Sequence, residues 1–284
     1  MYTLFSVILF SSVIPIHKEL FHMQKDYSVH KLRIDRQGLT ELPDDIHMYT
    51  NLLVLNCCDN MLTSLENLPP TLKELYCSFN RIVRLTNLPP SLVILNCYSN
   101  VLTSLDGLPP TLKELRCSNN QITTLERLPP TLEVLYCSNN RIASLPHLPI
   151  SLTLLYCNHN YISELQVPPL LQILDCSENT IEKIEIPETV LYLKCSHNNL
   201  TNIDNLETSK IEKLICHHNE IKSLDQLPET LFDLSCHHNN IATLENLPDS
   251  LVYLRCHNNP LIYEFDPTLE NIRMYCQRME YILK

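Results

Sequence analysis

Glycine occurs only twice in the 284 residues, at Gly38 and Gly107, and alanine only twice, at Ala143 and Ala242. Two isolated glycines cannot build the glycine-rich loops that cradle phosphates, so dinucleotide-binding and Walker-type sites are excluded. Positive charge is also in short supply. Lys and Arg number 21 against 32 Asp and Glu, a formal net charge of −11. A nucleic-acid binder needs a basic stripe to meet the phosphate backbone, and this balance argues against one. The apolar, uncharged stretch over residues 1–16 is too short for a membrane span, which needs roughly 20 residues. Ser, His and Asp are plentiful, but they recur with the repeat described below. No unique trio stands out as nucleophile, base and orienting group, so no hydrolase is expected. Proline draws on the same GC-rich codons as glycine and alanine, yet occurs 19 times. A structural demand must retain it.

What the sequence has in abundance is one repeating unit. From Cys57 onward, cysteine returns at 77, 97, 117, 137, 157, 176, 195, 216, 236 and 256, a period of 20 residues that slips by one around Cys176, Cys195 and Cys216. Asparagine follows each by three positions, from Asn60 and Asn80 to Asn239 and Asn259. One rung reads Leu72-Lys73-Glu74-Leu75-Tyr76-Cys77-Ser78-Phe79-Asn80-Arg81-Ile82, or LxxLxCxxNxI. A divergent earlier rung, Leu32-Arg33-Ile34 to Gln37-Gly38-Leu39, carries Ile34 and Gln37 in the cysteine and asparagine slots.

A fixed period of this length specifies a solenoid, because each unit buries its apolar face only against its neighbours. Each rung is expected to contribute a short strand, and the strands to stack in parallel about 4.8 Å apart. Alternation along the strand sends Leu75 and Cys77 inward and Glu74, Tyr76 and Ser78 outward. The asparagine amide then satisfies buried backbone groups in the following turn, forming a ladder. Leu-Pro-Pro recurs at 68–70, 88–90, 108–110 and 128–130, which excludes helix there and favours an extended, polyproline-like convex side.

The unit LPPTLKELYCSNNxI, seen with small changes at 109–122 and 129–142, resembles the short bacterial type of leucine-rich repeat. Such repeats occur in type III-secreted effectors, and similar ones in large DNA viruses. The resemblance covers about residues 29–265 and implies a leucine-rich-repeat solenoid of about 12 repeats with parallel strands on a concave face. It implies a non-enzymatic module that binds a protein partner. Some of those effectors append a ubiquitin-ligase domain with a catalytic cysteine. Here residues 266–284 follow the repeats, and the resemblance carries no such activity onto them. The alternative function is substrate recognition for a ligase whose catalysis lies on another chain.

Thirteen cysteines and 12 histidines invite a zinc reading. No C-x-x-C occurs, however, and structural zinc sites take ligand pairs two to four residues apart. Inward cysteines about 4.8 Å apart exceed the Cβ separation a disulfide prefers, so they read as small apolar fillers. Such an unbridged ladder fits a reducing, intracellular compartment, in the cytoplasm of this organism or of a host cell. Cys58 falls on the outward side and is a candidate reactive thiol. His217, His237 and His257 share one outward slot on three consecutive rungs. His218 and His238 fill the next slot, which His159 and His197 fill on earlier rungs. Stacked imidazoles could serve a metal-dependent or pH-responsive binder, a lower-ranked reading beside simple repeat duplication. No metal and no cofactor is assigned.

Outward positions vary on a constant scaffold, which is how solenoids encode recognition. The expected contact patch comprises Tyr76, Tyr98, Arg116, Tyr136 and Tyr156, since tyrosine and arginine dominate interface hot spots. His217, His237 and His257 extend it. Lys194, Lys213, Asp233, Tyr253 and Arg255 give the later rungs a more charged character. Glu66, Asp106, Glu126, Glu185, Asp204, Asp225 and Glu245 form an acidic column on a different edge, read as solubilising. A protein partner of unspecified identity, no nucleic acid, no membrane and a monomeric chain are the corresponding expectations.

Residues 1–28 are read as an apolar N-terminal segment or cap. A secretory or membrane signal over 1–16, or a true start at Met23, are the alternatives. Residues 266–284 are read as a C-terminal cap, with Leu269, Ile272, Met279 and Ile282 at roughly helical spacing. A thirteenth strand around Cys276 stays open.

Overall fold

The computed structural model describes residues 25–145, 147–224 and 226–283. The apolar segment over residues 1–16, and with it the choice between cap and signal, lies outside them. Twelve strands of three residues each, from Lys31–Arg33 to Tyr253–Arg255, form one parallel sheet in strict chain order. The pairing is in register at the central leucine, Leu55 opposite Leu75, Leu75 opposite Leu95, and so on along the molecule. A small parallel pair, Ser144–Leu145 with Glu164–Leu165, lies outside that sheet. Among the described residues the helical segments are a single turn at Ile46–Met48 and a helix at Leu269–Leu283. The return paths are extended and turned.

The rung is built around its buried side chains. Leu52, Leu55, Cys57, Leu62 and Leu65 are all buried, and the rungs through the one centred on Cys236 repeat the set with leucine, isoleucine or, at Val190, valine beside the cysteine. Three ladders satisfy the backbone that this core takes out of water. In the first, Asn80 donates from Nδ2 to the carbonyls of Cys77 and Ser78 in its own rung and of Cys57 in the rung before, while its Oδ1 accepts from Leu62 N. In the second, the thiols of Cys57, Cys77, Cys117 and Cys176 donate weakly to a carbonyl of the next strand, Cys117 to Tyr136 O at 3.3 Å. The third lies at the turn entering each strand. Thr71, Ser91, Thr111, Thr131 and Ser151 each donate to two carbonyls of the previous rung, Thr131 to Pro110 O and Leu112 O at 2.7 and 2.8 Å.

Several expectations are refined. The second proline of Leu-Pro-Pro sits in a tight turn closed by Leu112 N donating to Pro109 O at 3.2 Å, and by its equivalents on other rungs. The fixed φ of proline suits that turn position. Ser78 points outward in the alternation yet is buried, as are Ser118, Ser138 and Ser196. A side chain this short lies in the valley between taller neighbours, and Ser78 donates to Asn96 Oδ1 at 2.8 Å. The residue before each ladder asparagine takes a left-handed conformation, with φ of 58° at Asp59, 55° at Phe79 and 54° at His238.

The C-terminal end is capped by a helix, and Cys276 lies within it instead of in a thirteenth strand. Thr268 starts the helix by accepting from Asn271 N through its hydroxyl, as a threonine N-cap does. Ile272 is fully buried against the last rung. Arg273 donates to Asp249 O and Leu251 O, the carbonyls that a next rung's threonine would have taken. Cys256, with no further strand beside it, donates instead to Pro267 O.

Candidate functional site

The register of the sheet sorts the outward residues into columns. Tyr76, Asn96, Arg116, Tyr136, Tyr156, Asp175 and Lys194 occupy one slot on successive strands. Within it the structure gathers three of the expected contact residues. The Arg116 guanidinium lies 5.0 Å from the centre of the Tyr136 ring, and Tyr136 stacks on Tyr156 at 5.0 Å and 14°. Arg116 is held by Glu114, which accepts from Nε at 2.6 Å. A guanidinium over a tyrosine face is attracted by the ring quadrupole, and parallel rings shed little rotamer freedom on binding.

Tyr76 and Tyr98 do not join this stack. Tyr76 is separated from Arg116 by Asn96 and donates its hydroxyl to Glu74 at 2.9 Å. Tyr98 belongs two residues further along its strand, where its ring meets Phe79 edge-on at 5.3 Å and its hydroxyl accepts from Asn119 at 2.6 Å. Phe79 was not anticipated as a surface contributor. Its place immediately before a ladder asparagine was the available signal, since that turn position faces solvent, and Phe79 is 55% exposed. Burial pushes the phenols of Tyr76 and Tyr156 above their ordinary range, so both keep their protons and remain hydrogen-bond donors.

The histidines form a second cluster, at the end of the strands and further toward the C-terminus. His217, His237 and His257 stack face to face, with centroids 4.3 and 4.5 Å apart and planes within 8° of parallel. His197, His218 and His238 make a parallel column at 4.3 and 4.1 Å. The two columns meet edge to face, His217 against His218 at 5.3 Å. His159 stands apart, paired with Glu178 at 2.7 Å. Asn258 holds His238 through Nε2 at 2.7 Å, and His238 Nδ1 lies 2.8 Å from His237 Nδ1. Burial first, then the neighbouring imidazoles, hold His217 and His237 down to about 4. Both rings are therefore neutral near pH 7.

Cys58, the expected reactive thiol, is half-buried next to Ser78, and burial pushes its thiol up instead of down. A thiol so placed is a weaker nucleophile, not an activated one. The ladder cysteines go further, with Cys97, Cys137 and Cys216 pushed up to about 12 by burial. No disulfide joins any cysteine among the described residues. The acidic column keeps away from both clusters; Glu66, Asp106, Glu126, Glu185 and Glu245 are exposed, and Asp204 is half-buried. Asp225 lies outside the described residues. No helix among them is long and apolar enough to cross a membrane.

A rigid parallel sheet, ladder-bound on both edges and presenting varied side chains on one face, defines a solenoid of the interaction-scaffold class. Residues 110–149 match the family described as Leucine Rich repeats (2 copies). The functional domain of InlJ from Listeria monocytogenes, whose structure is described as including a cysteine ladder, is 30% identical with a TM-score of 0.77, covering 84% of this chain and 56% of that one. YopM from Yersinia enterocolitica WA-314 is 29% identical with a TM-score of 0.59, covering 84% and 66%. A structure of the LRIM1/APL1C complex is 26% identical with a TM-score of 0.67, covering 77% and 45%. The chain thus spans 56% of the length of the InlJ structure and 66% of that of YopM. No curated protein matches it in sequence. The chain is a leucine-rich-repeat protein, with repeats of the short bacterial type and a cysteine ladder along its core.

Proposed function

We propose that this chain is a non-enzymatic protein-interaction module whose concave sheet grips a protein partner, with Arg116, Tyr136 and Tyr156 as its anchor. The observation that carries this reading is the continuous Arg116–Tyr136–Tyr156 stack, three hot-spot residue types held side by side on adjacent strands. Pre-ordered side chains on a rigid sheet lose little entropy on binding. Tyr76, the Phe79–Tyr98 pair and the rungs bearing His217, His237 and His257 flank the anchor. Relatives of the same fold occur in protein complexes, as in the LRIM1/APL1C structure and in the assembly that contains FLRT2. Nothing among the described residues favours recognition on behalf of a ligase over binding for its own sake.

The test is capture of partners from cell lysate on the wild-type chain beside an Arg116→Ala/Tyr136→Ala/Tyr156→Ala variant whose fold has been verified by circular dichroism. A partner retained by wild type and lost by the variant supports the anchor. A partner retained equally by both moves the contact elsewhere on the surface.

A further inference from the structure

Outside the tyrosine patch, the densest gathering of chemically capable side chains is the double histidine column. Its geometry follows from the backbone. His197 and His218 sit at the left-handed position before the ladder asparagine, with φ of 53° and 54°, and His217 lies one residue before His218, just past the strand Lys213–Ile215. Two rungs thus deliver three imidazoles to one point. One ring nitrogen from each of His197, His217 and His218 lies within 4.8 Å of the other two. We propose that these three residues bind a divalent transition-metal ion of the zinc type.

Imidazole is a borderline ligand that suits zinc, copper and nickel, and the absence of a carboxylate from the trio disfavours calcium or magnesium. Zinc–nitrogen bonds of about 2.0–2.1 Å require ligand atoms roughly 3.3–3.5 Å apart, so His197 must leave its parallel stack on His218 and tilt its ring toward the ion. His197 is exposed, so its ring can turn toward an ion by giving up that stack. Half-buried His217 has its Nδ1 sealed from solvent without a hydrogen-bond partner. Such an orphan carries a desolvation penalty, and orphans of this kind accompany ion sites.

A second trio, His218, His237 and His238, meets the same distance criterion. It is the poorer site, because an ion there must break the 2.8 Å contact between His237 Nδ1 and His238 Nδ1. His218 belongs to both trios, and a neutral imidazole offers one lone pair, so the cluster holds one ion at a time. Three protein ligands leave one position of a tetrahedral ion open, on the solvent side of His197. This site stands independently of the tyrosine anchor.

The experiment uses the full chain without a polyhistidine tag, stripped with EDTA and titrated calorimetrically with Zn²⁺. Co²⁺ absorption then reports coordination geometry. One ion per chain is expected, with the intense visible bands of tetrahedral cobalt. Loss of an outer partner typically costs roughly 10–100-fold in affinity, so His217→Ala and His218→Ala should each cost more than that. His197→Gln, at an exposed position that cannot unfold the chain, should do the same, and His257→Ala should leave binding unchanged. Absence of zinc binding overturns the proposal, as does binding that survives both His217→Ala and His218→Ala. Binding lost in His237→Ala but kept in His197→Gln places the ion in the other trio and overturns the assignment.

Discussion

Asn120 reaches back one full rung to donate to the carbonyl of Cys97 at 3.1 Å. The same amide nitrogen donates to Cys117 O at 3.0 Å, and its oxygen accepts from Leu102 N at 3.0 Å. One side chain therefore closes its own turn and fastens it to the turn before, all within a buried site.

Asn120→Ala should strand these groups without water to replace the amide. Each buried group left unpaired costs ~1–3 kcal/mol, so the variant should lose at least that much. Asn199→Ala, at an exposed position one residue beyond the ladder, should stay within about 0.5 kcal/mol of wild type. The midpoints of urea unfolding compare the two directly. Equal midpoints would mean the ladder adds nothing to stability.

Gly107 and Gly38 both have positive φ, 90° and 66°, but only one is crowded. A Cβ at Gly107 would lie 2.7 Å from the carbonyl oxygen of Leu85, whereas nothing lies within 4 Å of one at Gly38. Gly38→Ala should cost the ~1–2 kcal/mol of a left-handed L-residue. Gly107→Ala should cost that plus ~1–3 kcal/mol of overpacking against backbone that cannot rotate away. A Tm of Gly107→Ala at or above that of Gly38→Ala would contradict the crowding.

The histidine columns give the metal-free chain an acid-sensitive end. The groups that hold His217 and His237 down are burial and then neighbouring cations, among them His197, His218, His238, His257 and Arg255. The unfolded chain takes up protons at these rings near pH 6.5, the folded chain only near 4. Between those values the unfolded state binds more protons, so stability is full above pH 6.5 and declines as pH falls toward 4. In EDTA-treated protein, the fall in Tm from pH 7.5 to 5 should be smaller for His217→Asn/His237→Asn than for wild type. An identical fall in both would assign the acid sensitivity to other groups.

The fold was legible because its determinants are local and repeated: the cysteine and asparagine positions alone place every strand of the main sheet from Val54–Asn56 onward, though not the small pair Ser144–Leu145 and Glu164–Leu165. The columns of the surface were less so. Period-2 alternation tells in from out but not how deep an outward atom sits, so it places Ser78 outward without revealing that Ser78 is buried. Grouping Tyr98 with Tyr76 ignored that the two stand in different slots of their strands, so only Arg116, Tyr136 and Tyr156 came together. Stacking of the histidines did follow from slot and rung. The threonine ladder at Thr71, Thr111 and Thr131 escaped notice because a threonine after two prolines reads as turn chemistry. Its partners, carbonyls of the previous rung 19 and 21 residues earlier in sequence, become neighbours only on stacking. At Cys276 the 20-residue register suggested a strand, but the helical spacing of its apolar neighbours prevailed once Ile272 had a last rung to cover.

The strict chain order of the sheet has a genetic consequence. Each strand of the main sheet pairs only with the strands before and after it, and from Asn60 onward each rung makes the same asparagine contacts to the rung before, with threonine or serine contacts on most. An in-frame duplication or deletion of one repeat's coding sequence leaves every remaining contact intact, provided the helix at Leu269–Leu283 still closes the end. The gripping surface can then lengthen or shorten in steps of one strand spacing, about 4.8 Å. Recombination can in this way change the extent of the outward face without redesigning the interior.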